Sequence, residues 1–94
     1  MIQILLSDLA VEQLSEMPPK AGRKMLDAMR QLRTFPHSAP PVVLENYESY
    51  RQLIARPYRA IYRYLEETQE IRVYCILHVR RALPAPEFLT HQIF

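Results

Sequence analysis

Three features of the sequence predict an α+β fold with a helical hairpin packed on an antiparallel sheet. Apolar residues recur at helical spacing between positions 6 and 32, they alternate with a period of two between 71 and 79, and a proline-rich stretch over 36–41 separates the two regimes. Ninety-four residues, 49% of them hydrophobic, suffice for a single domain over residues 1–94 with a small core.

Residues 2–6 suit a short buried strand, and Ser7 or Asp8 is a good N-cap for a following helix. Leu6, Ala10, Leu14 and Met17 then line one helical face, with Glu12, Gln13 and Glu16 on the other. Pro18-Pro19 ends this helix, but proline is tolerated in a first turn, so a second helix starts at once. Met25, Ala28, Met29 and Leu32 mark its buried stripe as far as Phe35. Beyond the proline-rich connector the pattern is that of sheet: strands over 42–44, 50–55, 58–65 and 71–79, with Glu66, Glu67, Thr68 and Gln69 turning between the last two. In the final strand Ile71, Val73, Cys75, Leu77 and Val79 are expected on one face, and Arg72, Tyr74, Ile76, His78 and Arg80 on the other. The two helices are the expected cover for the apolar face. The predicted architecture is an N-terminal strand, a two-helix hairpin and an antiparallel meander of four strands packed on the helices. Pro84 and Pro86 end the sheet before a short tail helix over 87–93, with Phe88, Leu89 and Phe94 exposed or docked.

Several function classes are excluded by composition. The one glycine, Gly22, rules out the dinucleotide fingerprint, the P-loop and the kinase-type loop, each of which needs several glycines so that backbone can approach a phosphate. The one cysteine, Cys75, rules out an internal disulfide and zinc sites built on paired cysteines. His37, His78 and His91 fall in separate elements without ligand spacing, so no metal is expected, and no other cofactor. No serine or cysteine sits in a nucleophile elbow, and Glu66 and Glu67 read as solvated turn residues. The apolar N-terminal run lacks a basic segment and stops at Ser7-Asp8, which predicts neither a signal peptide nor a membrane span, and hence a soluble cytoplasmic protein.

Net charge is only +2, yet its distribution is uneven. Residues 49–65 hold Arg51, Arg56, Arg59 and Arg63 with no acid, interleaved with Tyr50, Tyr58, Tyr62 and Tyr64. Composition alone favours a solvated arginine face with half-buried strand tyrosines; the sharper alternative is a surface that holds phosphates and stacks bases. Hairpin geometry brings Arg59 near the stretch from His78 to Arg81. The candidate cluster is therefore Arg51, Arg56, Arg59 and Arg63 with His78, Arg80 and Arg81, where mutual repulsion favours an anionic visitor. His78 is the proton-transfer candidate, against the commoner structural role of a single histidine, and Tyr58 or Tyr62 the stacking candidate.

At Tyr58-Arg59-Ala60-Ile61-Tyr62-Arg63-Tyr64, and at Leu77-His78-Val79-Arg80-Arg81-Ala82-Leu83 at the end of the last strand, the sequence resembles the RelE/ParE superfamily of toxins from type II toxin–antitoxin modules. The resemblance follows the order of elements through the whole chain and the motifs of about the last forty residues. It implies a growth-inhibiting toxin silenced by a cognate antitoxin in a heterocomplex. RelE-type members cut mRNA in the ribosome without a metal, whereas ParE-type members poison DNA gyrase. Arg59 matches the arginine of the strand signature in both branches, and Arg81 a basic position after the last strand. As an endoribonuclease, the protein would use Arg59 and Arg81 to stabilise phosphate charge and His78 to move a proton. As a gyrase poison, it would use the same arginines, with Arg51, Arg56, Tyr58, Tyr62, Arg63 and Arg80, for binding alone.

The departures favour gyrase. The only lysines, Lys20 and Lys24, lie in the helical hairpin rather than in the middle strands, and Val42 stands where a related nuclease branch has a glutamate base, with Glu45 and Glu48 offset from it. Residues 77–83 are closer to the Leu-His-Gly-Arg-Arg-Asp-Leu run of the ParE side, with Val79 for the glycine and Ala82 for the acid. Val79 is expected to stiffen the rim beside His78 and Arg81. A degenerate, non-toxic partner-binding module is the third reading.

Overall fold

The computed structural model describes all 94 residues. β1 (Gln3–Leu6) leads into α1 (Asp8–Glu16) and α2 (Pro19–Gln31), and after a long connection come β2 (Arg51–Ala55), β3 (Tyr58–Leu65), β4 (Glu70–His78) and α3 (Pro86–Thr90). The sheet runs β1-β4-β3-β2, with β1 parallel to β4 and the other neighbours antiparallel. The expected fold class holds, but the meander contributes three strands and β1 is the fourth.

Residues 42–44, expected to be a strand, are not one. Pro41 makes a single bridge with Arg51, and Val42 N–H donates to the Tyr50 carbonyl at 2.9 Å. Pro40 and Pro41 have no N–H to give a ladder, so pairing stops there; Val42 turns inward, while Val43 is 86% exposed. At the other boundaries, α2 stops at Gln31 rather than at Phe35, and β4 ends at His78, because Val79 N–H is taken by the Pro57 carbonyl at 2.8 Å. With the only glycine inside α2, left-handed backbone falls to Asn46, Ser49 and Gln69, the last closing the β3–β4 turn.

The alternation expected for the last strand is broken. Ile61 pairs with Cys75 but Tyr62 pairs with Val73, so Tyr74 is an extra residue with no partner in β3. A one-residue bulge inverts which side chains face which side. Ile71 and Val73 point to the helices together with Ile76, whereas Cys75 and Leu77 point away from them. Both faces of the sheet are therefore apolar. The helix face packs Ala60, Tyr62, Ile71, Val73 and Ile76 against Ala10 and Met17 around α1 and Met25, Met29 and Leu32 around α2. On the far face Ile61, Tyr74, Cys75 and Leu77 are covered by Val42 and Tyr50 of the connection and by Leu89 of α3. The helices are thus not the sheet's only cover. In the tail helix Leu89 is docked, Phe88 is half exposed, and Phe94 packs edge-on against Tyr74 with ring centroids 5.0 Å apart.

Ser7 joins the two halves of this arrangement. Its hydroxyl oxygen accepts from Ala10 N–H at 3.0 Å, capping α1, while its hydrogen goes to the carbonyl of the bulged Tyr74 at 2.7 Å. Its backbone N–H donates to Val73 O at 3.0 Å, and further along α1 Gln13 Oε1 accepts from Ile76 N–H at 2.6 Å. α1 thus continues β1 along the edge of β4 and satisfies groups that a four-residue strand leaves unpaired.

Ser7→Ala removes a cap and strands a buried carbonyl, and is expected to cost about 2–4 kcal/mol in urea unfolding. A loss below about 0.5 kcal/mol, the level of an ordinary surface substitution, would refute the dual role. Gly22 lies inside α2, and an added Cβ would meet only the Leu14 carbonyl, at 3.9 Å. Gly22→Ala should therefore raise stability by about 0.5–1 kcal/mol in the same experiment, with no change expected in fold.

Candidate functional site

The register brings Tyr58 opposite His78 and Arg59 opposite Leu77, so the start of β3 and the end of β4 are neighbours as expected. It also sets Arg59 and His78 on opposite faces of the sheet, because consecutive strand residues alternate. Tyr58 and His78 lie on the helix side, their rings edge-to-face with centroids 5.8 Å apart. They open into a cavity of about 280 Å³ that Glu16, Met17 and Arg81 also line. His78 Nδ1 accepts from the Arg80 N–H at 3.1 Å, which leaves Nε2 as the ring nitrogen free to meet a ligand.

Arg59 lies on the far side. One of its terminal nitrogens donates to the Arg81 carbonyl and the other to Gln52 Oε1 at 3.3 Å, while Nε is buried without a protein partner. Arg63 shares this face, its guanidinium over the Tyr50 ring at 5.5 Å and its Nε also unpartnered. Tyr50 and Tyr74 meet edge-to-face, with centroids 5.2 Å apart.

The remaining candidates do not join one surface. Arg51 is on the helix side and donates to the carbonyls of Ala39 (2.7 Å) and His37 (3.2 Å), a brace for the proline-rich connection. Tyr62 is completely buried and donates its hydroxyl to the Pro36 carbonyl at 2.9 Å, so it has no ring face to stack on a base. Burial raises its phenol above the ordinary range, against the opposing pull of Arg51 and a backbone hydrogen bond at Ala39. Arg80 and Arg81 are exposed beyond β4, and Arg56 is exposed in the β2–β3 turn. The single groove of three or four arginines expected from the sequence is thus divided between the faces and ends of the sheet.

Two features escaped the sequence pattern. The amide of Gln13 is a structural acceptor, and Lys20, Arg23 and Lys24 gather with Arg56 around one cavity. The i, i+3, i+4 spacing of those three cations on α2 was legible; that a distant turn would complete the group was not.

Cys75 is buried facing away from the helices, and burial pushes its thiol up to about 12 from an ordinary 9.0, outweighing the nearby positive charge of Arg59. As a neutral thiol it packs as a small apolar residue and is a poor nucleophile.

The fold is shared with solved RelE-type toxins. The chain is similar to the RelBE2 toxin–antitoxin complex of Mycobacterium tuberculosis, with 19% identity, TM-score 0.72, and coverage of 82% of this chain and 96% of that one. It is similar to the intact Escherichia coli RelBE complex, with 12% identity, TM-score 0.74, and coverage of 86% and 100%. It also matches the isolated E. coli RelE toxin, with 12% identity, TM-score 0.72, and coverage of 87% and 88%. At these identities the likeness is one of fold. No curated protein matches the sequence. The family model described as the ParE toxin of type II toxin–antitoxin systems, parDE, matches residues 4–83, and the chain belongs to that family.

The thiol and the phenol make a pH prediction with one sign. Each is an acid whose folded value is raised, so the stabilisation is complete below its unfolded value and is lost as pH rises through the folded one. For Cys75 that window runs from about 9 to about 12. Urea unfolding at pH 7 and 10 should lose about 1.4 kcal/mol less in Cys75→Ala than in the parent. Equal losses in both proteins would place the thiol in contact with water.

Proposed function

We propose that this protein is a growth-inhibiting toxin, held silent in a heterocomplex by a cognate antitoxin, and that its target is DNA gyrase. The observation that carries the gyrase reading is the separation of Arg59 from His78 by the sheet. A general acid–base and a phosphate-stabilising cation must meet at one phosphate to cleave RNA. Here the arginine of the strand signature is turned to the far face and tied to the Arg81 carbonyl and Gln52, a state suited to holding a surface in shape for binding. The match of residues 4–83 to the ParE toxin family supports the same target.

Antitoxin binding has a surface to use. Val43, Leu44, Ile54 and Phe88 are exposed apolar side chains on the elements that form or cover the far face, where Arg59 and Arg63 also lie. A partner segment that buries them would remove apolar area from water and meet the arginines with acidic groups. Of the arginines singled out in the sequence, Arg56, Arg80 and Arg81 are the exposed ones left for the target.

Ribosome-dependent mRNA cleavage is the alternative, supported by the cavity that holds His78, Tyr58 and Arg81 with the carboxylate of Glu16. Induced expression separates the two. The gyrase reading expects trapped, cleaved DNA in a supercoiling assay and undiminished toxicity in His78→Gln, with toxicity reduced at least tenfold in Arg81→Ala. Codon-linked mRNA ends that vanish in His78→Gln would establish the nuclease instead, and no growth inhibition from folded protein would leave a partner-binding module.

A further inference from the structure

The cations at the start of α2 form a separate surface. Lys20, Arg23 and Lys24 follow one another at i, i+3 and i+4, and with Arg56 of the β2–β3 turn they line a cavity of about 620 Å³. All four are exposed, and none is within ion-pair distance of a carboxylate. The one acid in the lining, Asp27, is engaged by Arg30 at 2.8 Å. Lys24 Nζ donates to the Arg56 carbonyl at 3.1 Å, which holds the turn against the helix. The N-terminus of α2, with Pro18 as an N-cap that makes no side-chain hydrogen bond, opens beside them and adds its positive dipole end. Four unneutralised cations held together on two elements repel one another, and an anion spanning them relieves that repulsion.

We propose that this groove binds the phosphodiester backbone of a nucleic acid, independently of base sequence. Arg23 and Arg56 supply planar forks suited to paired phosphate oxygens, and Lys20 and Lys24 supply point charges along the same track. Phosphate is favoured over an acidic peptide by what adjoins the groove. Val79 N–H bonds Pro57 O at 2.8 Å, tying the turn to the end of β4, where the Tyr58 and His78 rings and the Arg81 cation border the next cavity. Ring faces beside a cationic track suit bases beside their phosphates. The contact adds a nucleic-acid anchor to the toxin whichever macromolecule it inhibits.

The test is fluorescence anisotropy of the purified full chain with labelled duplex DNA, labelled single-stranded RNA and labelled polyglutamate, over about 50–200 mM salt. Neither gyrase nor ribosome is present, so failure here is distinct from failure of the proposed target. On DNA, the triple variant Lys20→Gln/Arg23→Gln/Arg56→Gln should flatten the slope of log K against log salt by about 2.7, and on single-stranded RNA by about 2.1. The nucleic acid that shows its expected change names the source of the phosphates. Arg33→Gln, just beyond the other end of α2 and outside the groove, should leave the slope on DNA unchanged. Circular dichroism and thermal melting of each variant verify the fold. The proposal is overturned if neither nucleic acid binds at the lowest salt, if the triple variant keeps the parent slope, or if polyglutamate binds as tightly as the nucleic acids and loses as much in the variant.

Discussion

The extra residue at Tyr74 is the constraint on which the rest of the structure depends. Without it, Ile71, Val73, Cys75 and Leu77 would all face the helices, with Tyr74 and Ile76 behind them. With it, Cys75 and Leu77 join Tyr74 and Ile61 on the far face while Ile76 joins Ile71 and Val73 on the helix face, and each face needs cover. The chain meets that need with the segment before β2 and the tail that carries α3. The presence of Cys75 and Leu77 in this layer, beside Tyr50, Ile61 and Leu89, is the product of a one-residue change of phase.

A bulge leaves backbone groups that the ladder no longer serves, and Ser7 serves one of them. The same hydroxyl accepts from one free N–H at the start of α1 and donates to the bulge carbonyl, so the helix start and the strand irregularity are positioned together. Further along α1, Gln13 accepts from the Ile76 N–H. α1 therefore behaves as an extension of the sheet edge as much as a cover, satisfying groups of β4 beyond the end of β1.

The same change of phase organises the charged residues. Tyr58 and His78 pair on the helix side, Arg59 and Leu77 on the far side, and the apparent alternation of arginines with tyrosines from Ser49 to Leu65 resolves into distinct surroundings. Arg51 and Tyr62 hold the proline-rich connection through carbonyls, Arg59 and Arg63 border the far-face core, and Arg56 belongs with the cations of α2. Chemistry that needs several of these groups at one atom is constrained by that separation, while binding over a surface is not.

The order of elements, the helical hairpin, the break at the prolines and the β3–β4 hairpin were legible because periodicity and proline chemistry are local. So was the adjacency of Arg59 to the end of β4, since antiparallel pairing after a short turn leaves little choice of register. The false strand at 42–44 had the composition of one but lay beside prolines that cannot donate. The bulge has no composition of its own: Val73-Tyr74-Cys75-Ile76 reads as an unbroken strand, and only the position of Ser7, more than sixty residues away in sequence, reveals where an unpaired carbonyl is tolerated. The sequence by itself determined which residues are apolar, charged and helix-breaking, and hence the family of folds open to the chain. Which face each side chain occupies, and therefore which arginines meet, was decided by long-range packing and hydrogen bonding, because a shift of one residue costs the local pattern nothing and reverses every side chain beyond it.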